Sequence, residues 1–227
     1  MVDVMAADGL RVAFGSRVVL SGASMSVGAS ELVAIRGASG SGKTTLLRVL
    51  AGIQVPDSGR VTYDDQELTS LSDDARSRLR MADFGFIFQF ADLVPELTLR
   101  ENIELPLEFL GFGRQARTTR VDSLIETVGL QECCDQLPHT VSGGERQRAA
   151  VARALVHRPR VVFADEPTGA LDTRSRDSVL ALLSTVAVRF ACALVIVTHD
   201  TKVAGICDRT VELVDGVVGD AAGPGQE

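Results

Sequence analysis

The sequence predicts an α/β fold, and three observations predict it. Residues 37–45 read Gly37-Ala38-Ser39-Gly40-Ser41-Gly42-Lys43-Thr44-Thr45, a glycine loop with lysine and threonine at the spacing that cradles phosphate. An apolar run, Glu31 to Ile35, precedes the loop, and a helical pattern from Thr45 to Ala51 follows it. Strand, loop and helix therefore stand in the order the motif needs. Two further apolar runs, Val161-Val162-Phe163-Ala164 and Leu194-Val195-Ile196-Val197, suit central parallel strands covered on both faces.

The glycine loop meets three physical demands. Its glycines let successive backbone N–H groups turn inward and form an anion nest. The helix expected to begin near Lys43 offers unpaired donors and the positive end of its dipole. Lys43 adds a compact charge for the terminal phosphates, and the Thr44 hydroxyl suits a magnesium ion. The chain has only two lysines, Lys43 and Lys202, yet one of them stands here. A chance Gly/Ser surface turn is the plain alternative, and the flanking strand and helix speak against it.

A chain of 227 residues suits one α/β domain or a core plus a subdomain. No apolar run approaches the roughly 18 residues of a membrane span. Residues 1–5 lack the basic flank and apolar core of a signal peptide, so a cytosolic location is expected. The net charge of −7 supplies no basic field for a nucleic-acid backbone, and no nucleic-acid partner is expected. Cys133, Cys134, Cys192 and Cys207 lack the spacing of zinc or redox motifs, which predicts reduced, mostly buried thiols.

Taken in order, residues 1–30 read as β-rich. Leu10 to Phe14 and Arg17 to Leu20 flank Gly15-Ser16 and suggest a hairpin. Phe14 at the strand end suits stacking on a flat ring, although a strand-end phenylalanine is usually core. Pro56 to Gly59 forms a turn, Arg60 to Tyr63 a strand, and Ser72 caps a helix with early acids. Phe84 to Gln89 reads as an apolar strand ending in an amide. Its Asp83-Phe84-Gly85 spells the kinase magnesium triplet, but no catalytic-loop signature follows.

Helical pattern dominates residues 90–140: Leu99 to Leu110, Arg114 to Val128 and Leu130 to Leu137. This reads as a helical insertion into the α/β core. The apolar stretch Phe90 to Pro95 suits either interdomain packing or a partner groove near Gln89–Leu99. Ser142-Gly143-Gly144 then precedes a helix expected from Glu145 to about His157. This is a second anion-ready helix start, or a plain serine cap.

The run at Val161 ends in Asp165 and Glu166. Adjacent strand residues point oppositely, so the two acids are expected to do different work. Asp165 suits magnesium through water or from behind its direct ligands, and Glu166 suits deprotonating an attacking water. An acid at a strand's carboxyl end stands where α/β folds bind ligands. Arg174 to Arg189 reads as helix. The strand at Leu194 ends in Thr198-His199-Asp200, and His199 there suits a hydrogen bond to a terminal phosphate. His139 and His157 have no such setting. A closing hairpin is expected around Asp215-Gly216, with a loose tail from Gly219.

These motifs, in this order, resemble the ATP-binding subunit of an ABC transporter, over nearly the whole chain from Phe14 to His199. The resemblance implies a P-loop NTPase (RecA-like) parallel-sheet core, an antiparallel β subdomain and an inserted α-helical subdomain. It implies residues 1–89 and 158–218 as the ATP-binding core, 90–157 as the helical subdomain and 219–227 as a flexible tail. Gly37, Ala38, Ser39, Gly40, Ser41, Gly42, Lys43, Thr44 and Thr45 match the Walker A motif. Gln89 matches the Q-loop, Asp165 the Walker B aspartate and Glu166 the catalytic glutamate. Asp172, in Ala170-Leu171-Asp172, matches the D-loop and His199 the switch histidine. Phe14 takes the place of the adenine-stacking aromatic. Val141 to Glu145 matches the family's Leu-Ser-Gly-Gly-Gln signature, with Val for Leu and Glu for Gln, so Ser142, Gly143 and Gly144 are expected at phosphate. Implied with these are Mg-ATP, with Thr44, Gln89 and Asp165 on the metal, and catalysis by Glu166, His199, Lys43 and Gln89. A homodimer closing on ATP and an integral membrane permease are implied as partners, which would place the chain peripherally on the inner face of the membrane.

Asp165 to Asp172, with Leu93 to Thr98 and Glu101-Asn102, looks like the MacB-type branch of macrolide, peptide and haem exporters, lipoprotein-releasing complexes and the cell-division ATPase. Three other readings are weaker. A soluble ABC ATPase acting on nucleic acid or ribosomes would bring a second cassette, a coiled-coil insertion or a basic face. A non-hydrolysing member that only transmits force leaves Glu166 and His199 idle, whereas a cell-division-type ATPase that regulates a membrane protein without transport is the alternative kept beside the exporter reading. A small-molecule kinase leaves Ser142 to Gly144 unexplained. The sequence does not name the transported substance.

Overall fold

The turn at Gly15-Ser16 folds the N-terminus back on itself, as its glycine predicts. The computed structural model describes residues 3–220. In chain order its strands and helices begin with β1 (Asp3–Phe14), β2 (Arg17–Gly28), β3 (Leu32–Arg36), α1 (Lys43–Leu50), β4 (Ser58–Tyr63) and β5 (Gln66–Glu67). Then come α2 (Asp73–Asp83), β6 (Phe84–Ile87), α3 (Leu99–Phe109), α4 (Arg114–Val128), α5 (Gly143–Leu155) and β7 (Val161–Asp165). The chain closes with α6 (Thr173–Phe190), β8 (Ala193–Val197), α7 (Thr201–Ala204), β9 (Arg209–Val214) and β10 (Val217–Asp220). Two compact units result: residues up to Arg78 together with those from Ala193, and Leu79–Cys192.

In the first unit, one sheet is antiparallel with the order β2-β1-β4-β5. β1 and β2 are 12 residues each, longer than the short runs expected. Their pairing continues through register shifts near Gly9 and Gly22, whose φ of 61° and 89° let single residues bulge without ending the ladder. The two-residue β5 is too short for any sequence period to announce.

The same unit holds β3 between β8 and β9, parallel to both, with β10 antiparallel on β9. β3 and β8 are buried almost throughout, as fully apolar strands require. Asp215 (φ 47°) and Gly216 (φ 77°) make the hairpin turn between β9 and β10. The tail expected from Gly219 starts later: Gly219 and Asp220 pair with Glu212 and Val211 as the end of β10. Residues 221–227 of that tail lie outside the described residues.

In the second unit, β6 and β7 are parallel neighbours, and α3, α4, α5 and α6 pack in the same unit. The helix expected from Leu130 to Leu137 is instead a series of turns. Its carbonyls are taken by the start of α3, where the Leu99 N–H donates to Gln136 O (2.9 Å) and the Arg100 N–H to Cys134 O (2.8 Å). Those N–H groups have no partner inside α3, and satisfying them competes with a helical ladder at 130–137. α5 begins at Gly143, two residues before the start expected.

Gly85 of β6 lies against α5 so closely that a Cβ would stand 2.3 Å from Ala154 O. Gly85→Ala is expected to destabilise the fold by about 1–3 kcal/mol through overpacking. That corresponds to roughly 2–4 °C of melting temperature per kcal/mol; an unchanged melt would refute the close approach.

All four cysteines are free; Cys133, Cys134 and Cys192 are buried and Cys207 half-buried. Burial pushes the Cys192 thiol up to about 11 and the Cys207 thiol up to about 12, so both stay protonated at neutral pH. Among the described residues, no helix is long and apolar enough to cross a membrane.

Candidate active site

The phosphate cradle forms where β3 ends. Gly37 has φ 152° and a Cβ there would stand 2.4 Å from Leu213 O; Gly42 has φ 103° and a Cβ would stand 2.8 Å from Val19 Cγ1. Only glycine satisfies both the conformation and the close approach. Gly42 is also the N-cap of α1, and it provides no side-chain cap. α3, α5, α6 and α7 each have a side-chain oxygen accepting there. The cap of α1 thus brings no side-chain oxygen to the loop, the arrangement that suits an anion at a helix start.

Lys43 is buried and folds along the loop, its Nζ donating to Gly37 O at 2.9 Å and Ala38 O at 2.8 Å. The Arg17 guanidinium donates to Gly40 O at 3.2 Å and ties the loop to the β1–β2 hairpin. Ser41 Oγ is buried and has no hydrogen-bond partner. Leaving a buried hydroxyl unpaired costs free energy, and a phosphate oxygen in the loop would accept its proton. The loop, the hairpin and the β9–β10 turn bound a cavity of about 530 Å³, within the range of small-ligand sites. The residues present fit a phosphate ester.

Phe14 stands at the end of the hairpin, opposite Arg17, and is 57% exposed. The core fate usual for a strand-end phenylalanine does not apply, so its ring is free to stack. His199 follows β8. Ile35 is in register with Val197, so Gly37 and His199 both lie two residues beyond the same rung of parallel strands. His199 is exposed, while its neighbour Thr198 is fully buried and accepts the Asp200 N–H at 3.0 Å.

The second unit repeats this arithmetic. Ile87 is in register with Ala164, which places Gln89 and Glu166 two residues beyond one rung. A Cβ on Gly169 would stand 3.0 Å from Gln89 Nε2, so the amide lies directly over the turn that follows Glu166. Glu166 itself has φ 47°, a left-handed backbone that costs a glutamate of order 1 kcal/mol and is found at functional turns. Asp165 closes β7 and is half-buried.

Ser142 is the N-cap of α5 in a reciprocal capping box with Glu145. The Ser142 hydroxyl donates to Glu145 Oε2 at 2.6 Å, and the Glu145 N–H donates back to Ser142 Oγ at 3.3 Å. The Ser142 hydroxyl, then its N–H, hold the Glu145 carboxyl below the usual carboxylate range. Glutamate in place of the signature glutamine therefore completes a cap. Gly144 has a packing reason as well, since a Cβ would stand 2.7 Å from Ser175 Oγ. Ser175 in turn donates its N–H (3.0 Å) and hydroxyl (2.8 Å) to Asp172, the N-cap of α6. These two bonds, the N–H first, lower the Asp172 carboxyl. Ser142, Gly143, Gly144 and Asp172 thus form one cluster.

Sequence reasoning missed three side chains. Ser175 joins α6 to the start of α5. Gln147 and Arg153 join α5 to the segment after β6. Gln147 Nε2 donates to Phe88 O at 2.9 Å, and the Arg153 guanidinium donates to Asp92 O (2.8 Å) and Ala91 O (3.0 Å). Gln147 stands on the same buried stripe as Val151 and Ala154, and a polar residue on an apolar helical stripe is the signal that would have found it. Asn102, fully buried, pins the far end of the segment by accepting the Val94 N–H (2.7 Å) and donating to the Val94, Leu97 and Thr98 carbonyls.

A glycine loop of this geometry at the start of α1 is that of a nucleotide-binding cassette. The family model for the ABC transporter matches residues 20–169, and the chain belongs to that family, as a subunit that binds and hydrolyses ATP. Its similarity is marked to lipoprotein-releasing system ATP-binding proteins LolD. That of Shewanella frigidimarina is 43% identical over 200 residues, covering 88% of this chain and 84% of the relative. That of Bacteroides fragilis is 39% identical over 209 residues, covering 92% and 97%. Among solved structures, the dimeric cassette MJ0796 in a post-hydrolysis state with ADP and Pi aligns with a TM-score of 0.86 at 32% identity, covering 96% of this chain and 99% of that one. CbiO1 from Clostridium perfringens, part of the cbiONQ transporter complex, aligns with a TM-score of 0.86 at 26% identity, covering 95% and 86%.

Proposed function

We propose that two copies of this chain sandwich two ATP molecules and drive an integral membrane permease on the inner face of the membrane, with release or export of a lipoprotein as the work done. The dimeric ADP- and Pi-bound neighbour, aligned over 96% of this chain, is the observation that carries the pairing. The lipoprotein-releasing systems to which the LolD relatives belong support the lipoprotein cargo.

In this reading Gly37–Thr45 seat the phosphates, with Lys43 on the terminal pair and Phe14 on the adenine. Thr44, Gln89 and Asp165 supply hydroxyl, amide and carboxylate oxygens, a hard donor set that fits Mg²⁺. The metal would neutralise charge on the phosphates. Glu166 takes the proton of the attacking water, and His199 holds the terminal phosphate by a hydrogen bond. Ser142, Gly143, Gly144 and Asp172 of the other copy close the site. Residues 90–157 act as the helical subdomain that carries this lid, and 1–89 with 158–218 as the nucleotide-binding core. The stretch 89–99 meets the permease.

The lid role is separable from the seat. Ser142→Ala, placed in a Glu166→Gln background, is expected to weaken ATP-driven dimerisation at least tenfold, while one chain's affinity for ATP is unchanged. Loss of the cap alone costs about 1 kcal/mol of stability, and a melting curve measures that part. Equal dimerisation with and without Ser142 would remove it from the partner's site. The cargo is tested by purifying the chain with its co-expressed permease. ATPase activity that rises with an acylated lipoprotein and not with its unacylated form supports the reading; equal rates with both overturn it.

A further inference from the structure

The second unit contains a cavity of about 420 Å³, walled by Arg120, Arg158 and Arg189 and sharing no residue with the cradle. No acidic residue lines it among the described residues, and none of the three guanidiniums makes an ion pair there. In a chain of net charge −7, three cations gathered without a carboxylate stand out. Thr119 and Ser123, one turn apart on α4, bring hydroxyls to the same wall, and Phe190 brings a ring.

Two of the arginines are held in place. The Arg120 guanidinium lies over the Phe112 ring, 4.5 Å from its centroid. The Arg189 guanidinium donates to Thr127 Oγ1 at 2.8 Å and lies 5.9 Å from the Phe190 centroid. Arg158 has φ 61° just past the end of α5, a position that glycine or asparagine takes more readily. Attraction of a cation to a helix carboxyl end accounts for Arg189 in the last turn of α6. It does not account for Arg120, which lies inside α4.

We propose that this cavity is a second ligand site, separate from the hydrolytic one, for a small multiply charged anion of the phosphate-ester class. Planar guanidiniums match the oxygens of phosphate two at a time, and the Phe190 ring offers a face to a flat group attached to it. The volume admits anything from pyrophosphate to a nucleotide. The inference is independent of the lipoprotein reading.

The test uses the full chain carrying Lys43→Ala, which disables the cradle. Isothermal titration is run with inorganic pyrophosphate and, separately, with ATP free of magnesium. One or both are expected to bind at one molecule per chain, more weakly as salt rises. Adding Arg120→Gln and Arg158→Gln together is expected to weaken that binding at least tenfold. Should this variant melt early, Arg158→Gln alone, at an exposed position, is expected to weaken it at least threefold. No saturable binding of either probe, or binding indifferent to these arginines, overturns the proposal. So would a variant that changes only the melting temperature, since the arginines would then serve the helix ends.

Discussion

Glu166→Gln is expected to give a protein that binds ATP, pairs, and stays paired. Glutamine keeps the size and hydrogen-bonding reach of the side chain but cannot accept the proton of the attacking water. A general base is worth about 10²–10⁴ in rate, so turnover should fall by that factor. Because phosphoryl transfer rests mainly on positioning and charge stabilisation, binding should survive intact. Size-exclusion chromatography with ATP then shows a dimer that wild type, by hydrolysing, does not accumulate. The change does not disturb the turn, since the left-handed backbone at Glu166 (φ 47°) is asked of glutamine and glutamate alike. Turnover like wild type with no trapped dimer would take Glu166 out of the base's role.

Lys43→Ala is expected to abolish measurable Mg-ATP binding at the glycine loop. The ammonium bridges Gly37 O and Ala38 O across the mouth of the loop, within reach of anything the loop holds. Hydrogen bonds from the ammonium to a bound phosphate would contribute about 1.5–3 kcal/mol each, so losing two such bonds costs on the order of 10²–10⁴ in affinity. Lys43→Arg should not rescue, because a planar fork cannot stand in for a compact point charge inside so tight a loop. Titration calorimetry on the isolated chain decides it; an affinity equal to wild type would deny Lys43 the phosphate.

Much of this was legible because the site depends on local chemistry. Gly37 and Gly42 are required by backbone angles set within the loop itself, and such constraints leave a fixed spacing in the sequence; the close approaches to Leu213 and Val19 do not. The strands that lead to Gly37, Gln89, Glu166 and His199 were legible too, as apolar runs; the register that sets each of these residues two beyond its rung was not, since a run of apolar residues does not say which strand it pairs with. What escaped depends on distant partners. Leu130 to Leu137 has a helical pattern, but the N–H groups of Leu99 and Arg100 claim its carbonyls from thirty-odd residues away. Gly144 reads as a phosphate-facing glycine, and its nearness to Ser175 is invisible until α6 is folded beside it. The same holds for Gln147 and Arg153, whose acceptors are bare carbonyls about sixty positions upstream. A carbonyl has no residue type and leaves no mark on a sequence.

Those last bonds make α5 a lever. It is 13 residues long, about 20 Å at 1.5 Å per residue. Ser142 sits at one tip, and Arg153 grips the backbone near the other. A neighbour that presses on Phe88, Ala91 or Asp92 loads the bonds to Gln147 and Arg153, and through them the rod whose far tip is Ser142.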